Sequence, residues 1–201
     1  EHFMMKEIHE QPRAVKDTLN SVLKDGKFDL TDIGLAEEDI RRTSQIYIVA
    51  CGSAYHVGMV AQYVIEDLVK IPVRVELASE FRYRKPILDP NGLVIIISQS
   101  GETADSLAAL RETKAQGIRT LGIVNVVGSS IAREADKVFY TLAGPEISVA
   151  TTKAYSTQLM ASYILAIQFA KVKNTITEEQ YENYIAELQA IPEKIEKIIE
   201  D

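Results

Sequence analysis

Residues 93–104 read Leu93-Val94-Ile95-Ile96-Ile97-Ser98-Gln99-Ser100-Gly101-Glu102-Thr103-Ala104. The apolar half has the length and β-branched content of a buried strand, and the pattern beginning near Ala104 is helical. A strand that hands its end directly to a helix leaves backbone N–H groups unpaired beside the positive end of the helix dipole. Ser98, Ser100 and Thr103 add hydroxyls there and Gln99 adds a carboxamide. That is chemistry for an anion, phosphate above all. Ordinary capping competes with this reading, because Ser100 at or near the N-cap and Thr103 beyond it would satisfy amides without a ligand. The density of donors favours the anion, since one cap needs one side-chain oxygen. The motif contains no Lys or Arg, so neutral donors and the dipole would do the holding.

Around this junction, β-branched runs alternate with helical patterns, the signature of a parallel sheet wrapped by crossover helices. Strands are expected at 45–50, 73–77, 92–97, 119–125 and 137–141, each apolar enough to be covered on both faces. Between them Val57, Val60, Ala61, Val64, Ile65 and Leu68 recur at helical spacing, and Leu107 and Leu110 do so more weakly. The pattern gives a doubly wound α/β domain with five parallel strands. Residues 2–24 read as one helix and 25–43 as a polar, charged connector. From 153 to 170 the sequence is apolar on almost every side, with Tyr155, Leu159, Met160, Tyr163, Ile164, Ile167 and Phe169, so this helix should be buried, in part against another subunit. Tyr181, Ile185 and Leu188 mark an amphipathic helix, and Pro192 suits the first turn of a further one. The expected division is 1–44, an N-terminal helix and connector packing on the domain; 45–174, the domain; and 175–201, C-terminal helices.

With 201 residues and 46% hydrophobic content, the chain can bury one sizeable core. A net charge of −7 with scattered basic residues lacks the footprint needed to track nucleic acid. Cys51 is the single cysteine, which excludes an internal disulfide. No run has membrane-spanning length and none resembles a secretory signal, so a reducing cytoplasm is expected and no membrane partner. The chain opens at Glu1 without an initiator methionine and closes just after the apolar-patterned Ile195, Ile198 and Ile199 without a glycine stop, as a piece of something longer would.

In open α/β sheets, ligands bind beyond the carboxyl ends of the strands, where chain order reverses. The loops at Cys51–Ala54, Ser98–Thr103 and Glu146–Lys153 should therefore surround one small polar molecule. The first fails as a dinucleotide fingerprint, because Ala54 stands where a second glycine would let backbone approach a pyrophosphate. No P-loop spacing occurs either. In the third loop, Thr151 or Thr152 could cap the following helix. Lys153 opposes the dipole in the first turn, a cost that makes sense if it meets an anion or a carboxylate. Glu102 reads as a structural first-turn carboxylate, and Cys51 as a small buried hydrophobe. His56, a lone imidazole, reads as a packed or surface residue that could also serve acid–base work.

Glu10-Gln11-Pro12, Cys51-Gly52-Ser53, residues 78–84 (Ala-Ser-Glu-Phe-Arg-Tyr-Arg), residues 98–105, Val127-Gly128-Ser129-Ser130 and residues 149–154 together carry a resemblance. Through almost its whole length the chain resembles the isomerase portion of the glutamine–fructose-6-phosphate aminotransferase family, and within it the first of two sugar isomerase (SIS) domains, a flavodoxin-like fold. The resemblance implies a larger protein in which a glutaminase domain releases ammonia and two SIS domains use it to convert fructose 6-phosphate to glucosamine 6-phosphate. It assigns the phosphate to Ser98, Gln99, Ser100 and Thr103, and places Ser53, Val149 and Thr151 along the sugar. Ser53 and Thr151 keep hydroxyls where the family pattern has Thr and Ser, whereas Ala54 lacks one. The family's isomerising carboxylate, ring-opening histidine, C-terminal lysine and glutaminase cysteine have no matching motif here. The resemblance thus implies a sugar-phosphate-binding module without catalytic residues, metal or cofactor, inactive alone and homodimeric. Two alternatives are a self-sufficient homodimeric phosphosugar isomerase, with Glu80 or His56 as base, and a sugar-phosphate-sensing regulatory domain.

Overall fold

The computed structural model describes residues 2–200 of the chain. The N-terminal segment forms α1 (Phe3–His9) and α2 (Gln11–Asn20), not the single helix expected over 2–24. Pro12 explains the break, because it brings no N–H to the Ile8 carbonyl; the Gln11 side-chain amide donates to that oxygen instead, at 3.1 Å. The expected connector is ordered too. Asp25 and Gly26, at φ of 51° and 76°, turn a hairpin of β1 (Leu23–Lys24) and β2 (Lys27–Phe28). A short 3₁₀ turn (Thr31–Ile33) and α3 (Glu37–Arg41) then lead into the main sheet.

Strands and helices alternate from there: β3 (Ile46–Ala50), α4 (Gly52–Val69), β4 (Val73–Leu77), α5 (Ala78–Arg84), β5 (Leu93–Ser98), α6 (Ala104–Ala115), β6 (Arg119–Val124), α7 (Ser130–Glu134) and β7 (Lys137–Tyr140). These five strands pair in parallel in the order β4-β3-β5-β6-β7, with every end within one residue of expectation. Chain order reverses between β3 and β5, whose register sets Ala50 beside Ile97. A crevice opens there, between the loops leaving the two carboxyl ends.

Alternate strand residues face opposite layers. Ile46, Ile48, Leu93, Ile95 and Ile97 join the core shared with α4, α8 (Lys153–Val172) and α9 (Glu178–Glu200), whereas Tyr47, Val49, Val94 and Ile96 pack with α5, α6 and α7. The all-round apolar α8 is buried within the chain, because α2, α4 and α9 all pack on it. The Tyr181 hydroxyl on α9 accepts the Phe28 N–H at 2.9 Å and donates to Gln168 of α8 at 2.7 Å, which ties the hairpin to both helices. Pro192 does not open a new helix as expected: α9 runs through it. Tyr181, Ile185, Leu188 and Pro192 share its buried face, and packing on α2 holds the helix across the bond that Pro192 cannot make. Among the described residues, no helix is long and apolar enough to cross a membrane.

Helix α4 lies closest to the sheet at Gly58, where a Cβ would come 2.9 Å from Ile48 Cγ2 and 3.0 Å from Val75 Cγ1. Gly58→Val should therefore destabilise the fold by about 1–3 kcal/mol through overpacking. The urea midpoint reads this directly, and an unchanged midpoint would show the contact to be slack.

Candidate functional site

Ser98 ends β5 and is buried; its Oγ accepts the Gly101 N–H at 3.0 Å and lies 3.1 Å from Thr103 Oγ1. Ser100 Oγ accepts the Glu102 N–H at 3.2 Å. Gly101 has φ +66°, and a Cβ there would fall 2.0 Å from Ser129 Oγ, so only glycine lets this loop close against the start of α7. The N-cap of α6 is Thr103, not Ser100, and its side chain makes no cap bond. Capping by Ser100 is thus limited to one loop amide. The hydroxyls shape the loop, and the amides of Ala104, Asp105 and Ser106 are left without an intrahelical acceptor.

A second helix start faces the same space. Cys51 is the N-cap of α4 and gives no side-chain cap; its Sγ lies 3.8 Å from Ser106 Oγ, and the residue is half-buried at the cavity instead of fully buried as expected. The Cys51–Ala54 turn, the Ile97–Ser100 strand end, Thr103 and Gln158 of α8 line a cavity of about 270 Å³. Of the expected site residues, Ser53, Ser98, Gln99, Ser100 and Thr103 therefore come together. Thr151 joins them through Ser53, whose hydroxyl donates to Thr151 Oγ1 at 3.3 Å. Val149 stands on the same loop with its side chain fully exposed (103%) and does not line the cavity. Gln158 is absent from the expected set, because a polar residue inside an apolar helix carries no local sign that it faces a cavity.

The third loop is held by carboxylates. Glu146 accepts the N–H groups of Thr152 (2.9 Å) and Ala154 (3.2 Å), so it caps α8 in place of the expected Thr151 or Thr152. Glu7 of α1, buried at 3% exposure, accepts the Ile147 N–H at 2.6 Å and the Ser148 hydroxyl at 2.5 Å. The Ser148 hydroxyl is the chief cause holding the Glu7 carboxyl below its ordinary value; burial opposes it, and the Ile147 and Ser148 amides reinforce it. Lys153, also 3% exposed, pairs with Glu10 at 2.6 Å, the carboxylate its position calls for. Glu102 caps a different helix from the one it precedes, accepting the Ser130 hydroxyl at 2.7 Å and the Ser130 N–H at 2.8 Å. These bonds, the hydroxyl first, hold its carboxyl below the ordinary value.

The cavity walls offer hydroxyls, amides and carboxamides, with no Lys, Arg, His or carboxylate among them. His56 is exposed on α4, its ring 5.7 Å from that of Tyr55, and Glu80 is exposed on α5; neither lines the cavity. No group of three or more metal-ligating side chains occurs among the described residues. The arrangement offers donors to an anion, and the Cys51 thiol is the one titratable side chain among its described lining residues.

Comparison with known proteins bears on the same region. The SIS domain family matches residues 39–168. Glutamine–fructose-6-phosphate aminotransferase (isomerizing) of Clostridium tetani is 56% identical over 100% of this chain and 33% of its own length. The protein of that name from Clostridium acetobutylicum is 56% identical over 99% of the chain and 33% of its own length. A solved structure, the C-terminal domain of glucosamine-fructose-6-phosphate aminotransferase from Francisella tularensis, superposes with a TM-score of 0.92 at 47% identity, covering 96% of this chain and 54% of that one. The chain thus spans about a third of the length of the curated relatives it matches.

Because Glu7 titrates lower in the folded chain than its ordinary 4.5, its contribution to stability is complete above that value and is lost as pH falls through the depressed one. Glu7→Gln should lower the thermal midpoint near neutral pH, and the gap from the unmodified chain should close on acidification. A gap that persists in acid would show that the carboxylate charge is not what holds the loop.

Proposed function

We propose, since this chain belongs to the SIS domain family, that its cavity binds a phosphorylated sugar and that it is the first SIS domain of a glutamine–fructose-6-phosphate aminotransferase. The observation that carries this reading is the convergence of two helix starts without side-chain caps, α4 and α6, on a cavity walled by hydroxyls. Each contributes the equivalent of about half a positive charge together with free N–H donors. In the reading proposed, the phosphate lies on Ser98, Gln99, Ser100, Thr103 and the α6 amides. The sugar extends toward Ser53, Thr151 and the loop that carries Val149. Neutral donors select a phosphate by the geometry of its oxygens more than by its charge.

The whole protein would then make glucosamine 6-phosphate from fructose 6-phosphate and glutamine for amino-sugar synthesis, as a cytoplasmic homodimer. A glutaminase domain and a second SIS domain would supply the ammonia and the acid–base groups. This chain alone is a binding module without turnover, for its cavity walls carry no carboxylate or imidazole. The exposure of Glu80 and His56 away from those walls weighs against the self-sufficient isomerase.

Titration with fructose 6-phosphate, followed by amide NMR, should shift the resonances of residues 98–106 and 52–54. Ser100→Ala and Thr103→Val should each weaken binding about tenfold or more, as expected for hydrogen bonds to a charged group. The chain should also leave fructose 6-phosphate unconverted to glucose 6-phosphate. Unchanged spectra at millimolar ligand would remove the binding site from consideration, and measurable conversion would restore the isomerase.

A further inference from the structure

One wall of the cavity is unlike the others. Gln158 of α8 is buried at 2% exposure, and its Oε1 has no hydrogen-bond partner. Its neighbours show how α8 normally treats a buried polar side chain: Thr157 donates to the Ala154 carbonyl at 3.0 Å, and Ser162 to the Gln158 carbonyl at 2.8 Å. Gln158 Oε1 is an acceptor and has no such local outlet. Buried acceptors without donors destabilise a fold and are few in native proteins, so each one calls for an explanation. An apolar side chain would suit the rest of this helix, whose remaining buried positions are largely apolar.

The chemistry of the two sides of the cavity is opposed. The Ser98, Ser100 and Thr103 hydroxyls and the helix amides can donate to the oxygens of an anion. Gln158 Oε1 can only accept, and a phosphate dianion has no proton to offer it. A ligand that satisfies both sides directly, with no bridging water, must therefore carry a hydroxyl or amine donor besides its phosphate. We infer that Gln158 Oε1 accepts a hydrogen bond from a hydroxyl of the bound sugar phosphate. It is then a specificity residue that separates phosphorylated polyhydroxy compounds from phosphate itself and from hydroxyl-free phosphate esters. The inference rests on the phosphate reading given above.

The test is a set of calorimetric titrations of the 201-residue chain with inorganic phosphate, ethyl phosphate and fructose 6-phosphate. The unmodified chain should bind fructose 6-phosphate tightest. Gln158→Leu should weaken fructose 6-phosphate by about three- to tenfold, the range of a neutral hydrogen bond. It should leave the other two compounds within about twofold and should not lower the thermal midpoint of the unliganded protein, because it removes an unsatisfied polar atom. Undiminished fructose 6-phosphate affinity in the variant would mean that Oε1 meets only water, and equal weakening of all three would mean that the side chain only shapes the cavity. Either result overturns the inference while the phosphate site stands. If the variant fails to fold, the unmodified chain still decides: ethyl phosphate binding as tightly as fructose 6-phosphate refutes a hydroxyl contact. Failure of the unmodified chain to bind any of the three sinks the underlying phosphate reading, and the inference with it.

Discussion

The parallel pairing of β3 with β5 is the constraint on which the site depends. Because Ala50 lies beside Ile97, the turn beginning at Cys51 and the turn that includes Ser98 leave the sheet next to each other, and both lead directly into helices. Two dipoles then point their positive ends into one crevice. Neither β4 nor β6 could replace either partner, since chain order reverses only between β3 and β5. Gly58, which lets α4 approach Ile48 and Val75, and Gly101, which lets the hydroxyl loop close against Ser129, fix how near the two helix starts come. The site is in this sense a consequence of strand order before it is a consequence of any one side chain.

The chain carries a net charge of −7, yet the cavity beyond β3 and β5 is lined by neutral side chains. The two facts are compatible because the carboxylates on and around the cavity loops are engaged by other donors, Asp105 in the first turn of α6 by Arg82 at 2.7 Å among them. Glu7 is engaged by the Ile147–Ser148 segment, Glu102 by Ser130, and Glu146 by the start of α8. Lys153 is bound to Glu10. What remains at the cavity wall is neutral, so short-range donors and helix dipoles decide what is held, while more distant surface charge is screened over about 10 Å.

The parts of this fold legible in the sequence are those written locally. The apolar run 93–97 and the hydroxyls after it declare a strand, a turn and a helix start within a dozen residues; β3 and, after Arg119, β6 are buried likewise, whereas the edge strands β4 and β7 carry charged residues and are only partly covered, not buried on both faces as expected. The N-terminal hairpin has a local signal in Asp25-Gly26, but its strands are two residues long and show no alternation to support it. Pro192 misleads for the opposite reason: the rule that proline begins helices is sound, and the buried seam from Tyr181 to Pro192 outweighs it. Glu146 caps α8 from several residues upstream, across a loop whose path no periodicity records. Gln158 is the least legible of all. Its role depends on which way one residue of an apolar helix faces once α8 has packed beneath the sheet's carboxyl end.

The two helix starts at the cavity leave their first amides without a side-chain acceptor. Ser, Thr, Asp or Asn at an N-cap commonly adds about 0.5–2 kcal/mol to a helix. Here α4 has Cys51 at that place, and α6 has a threonine whose hydroxyl lies beside Ser98 and makes no cap bond. The α8 start, which borders the cavity only through Ser53 and Thr151, is capped by Glu146. Neither helix start that lines the cavity has a side-chain cap, which is also true of α3 and α5 away from it, whereas Glu146 covers the start of α8. A carboxylate at the N-cap of α4 or α6 would satisfy the amides and repel phosphate at once. What distinguishes α4 and α6 is that their open amides converge on one cavity, where the proposed phosphate would use them.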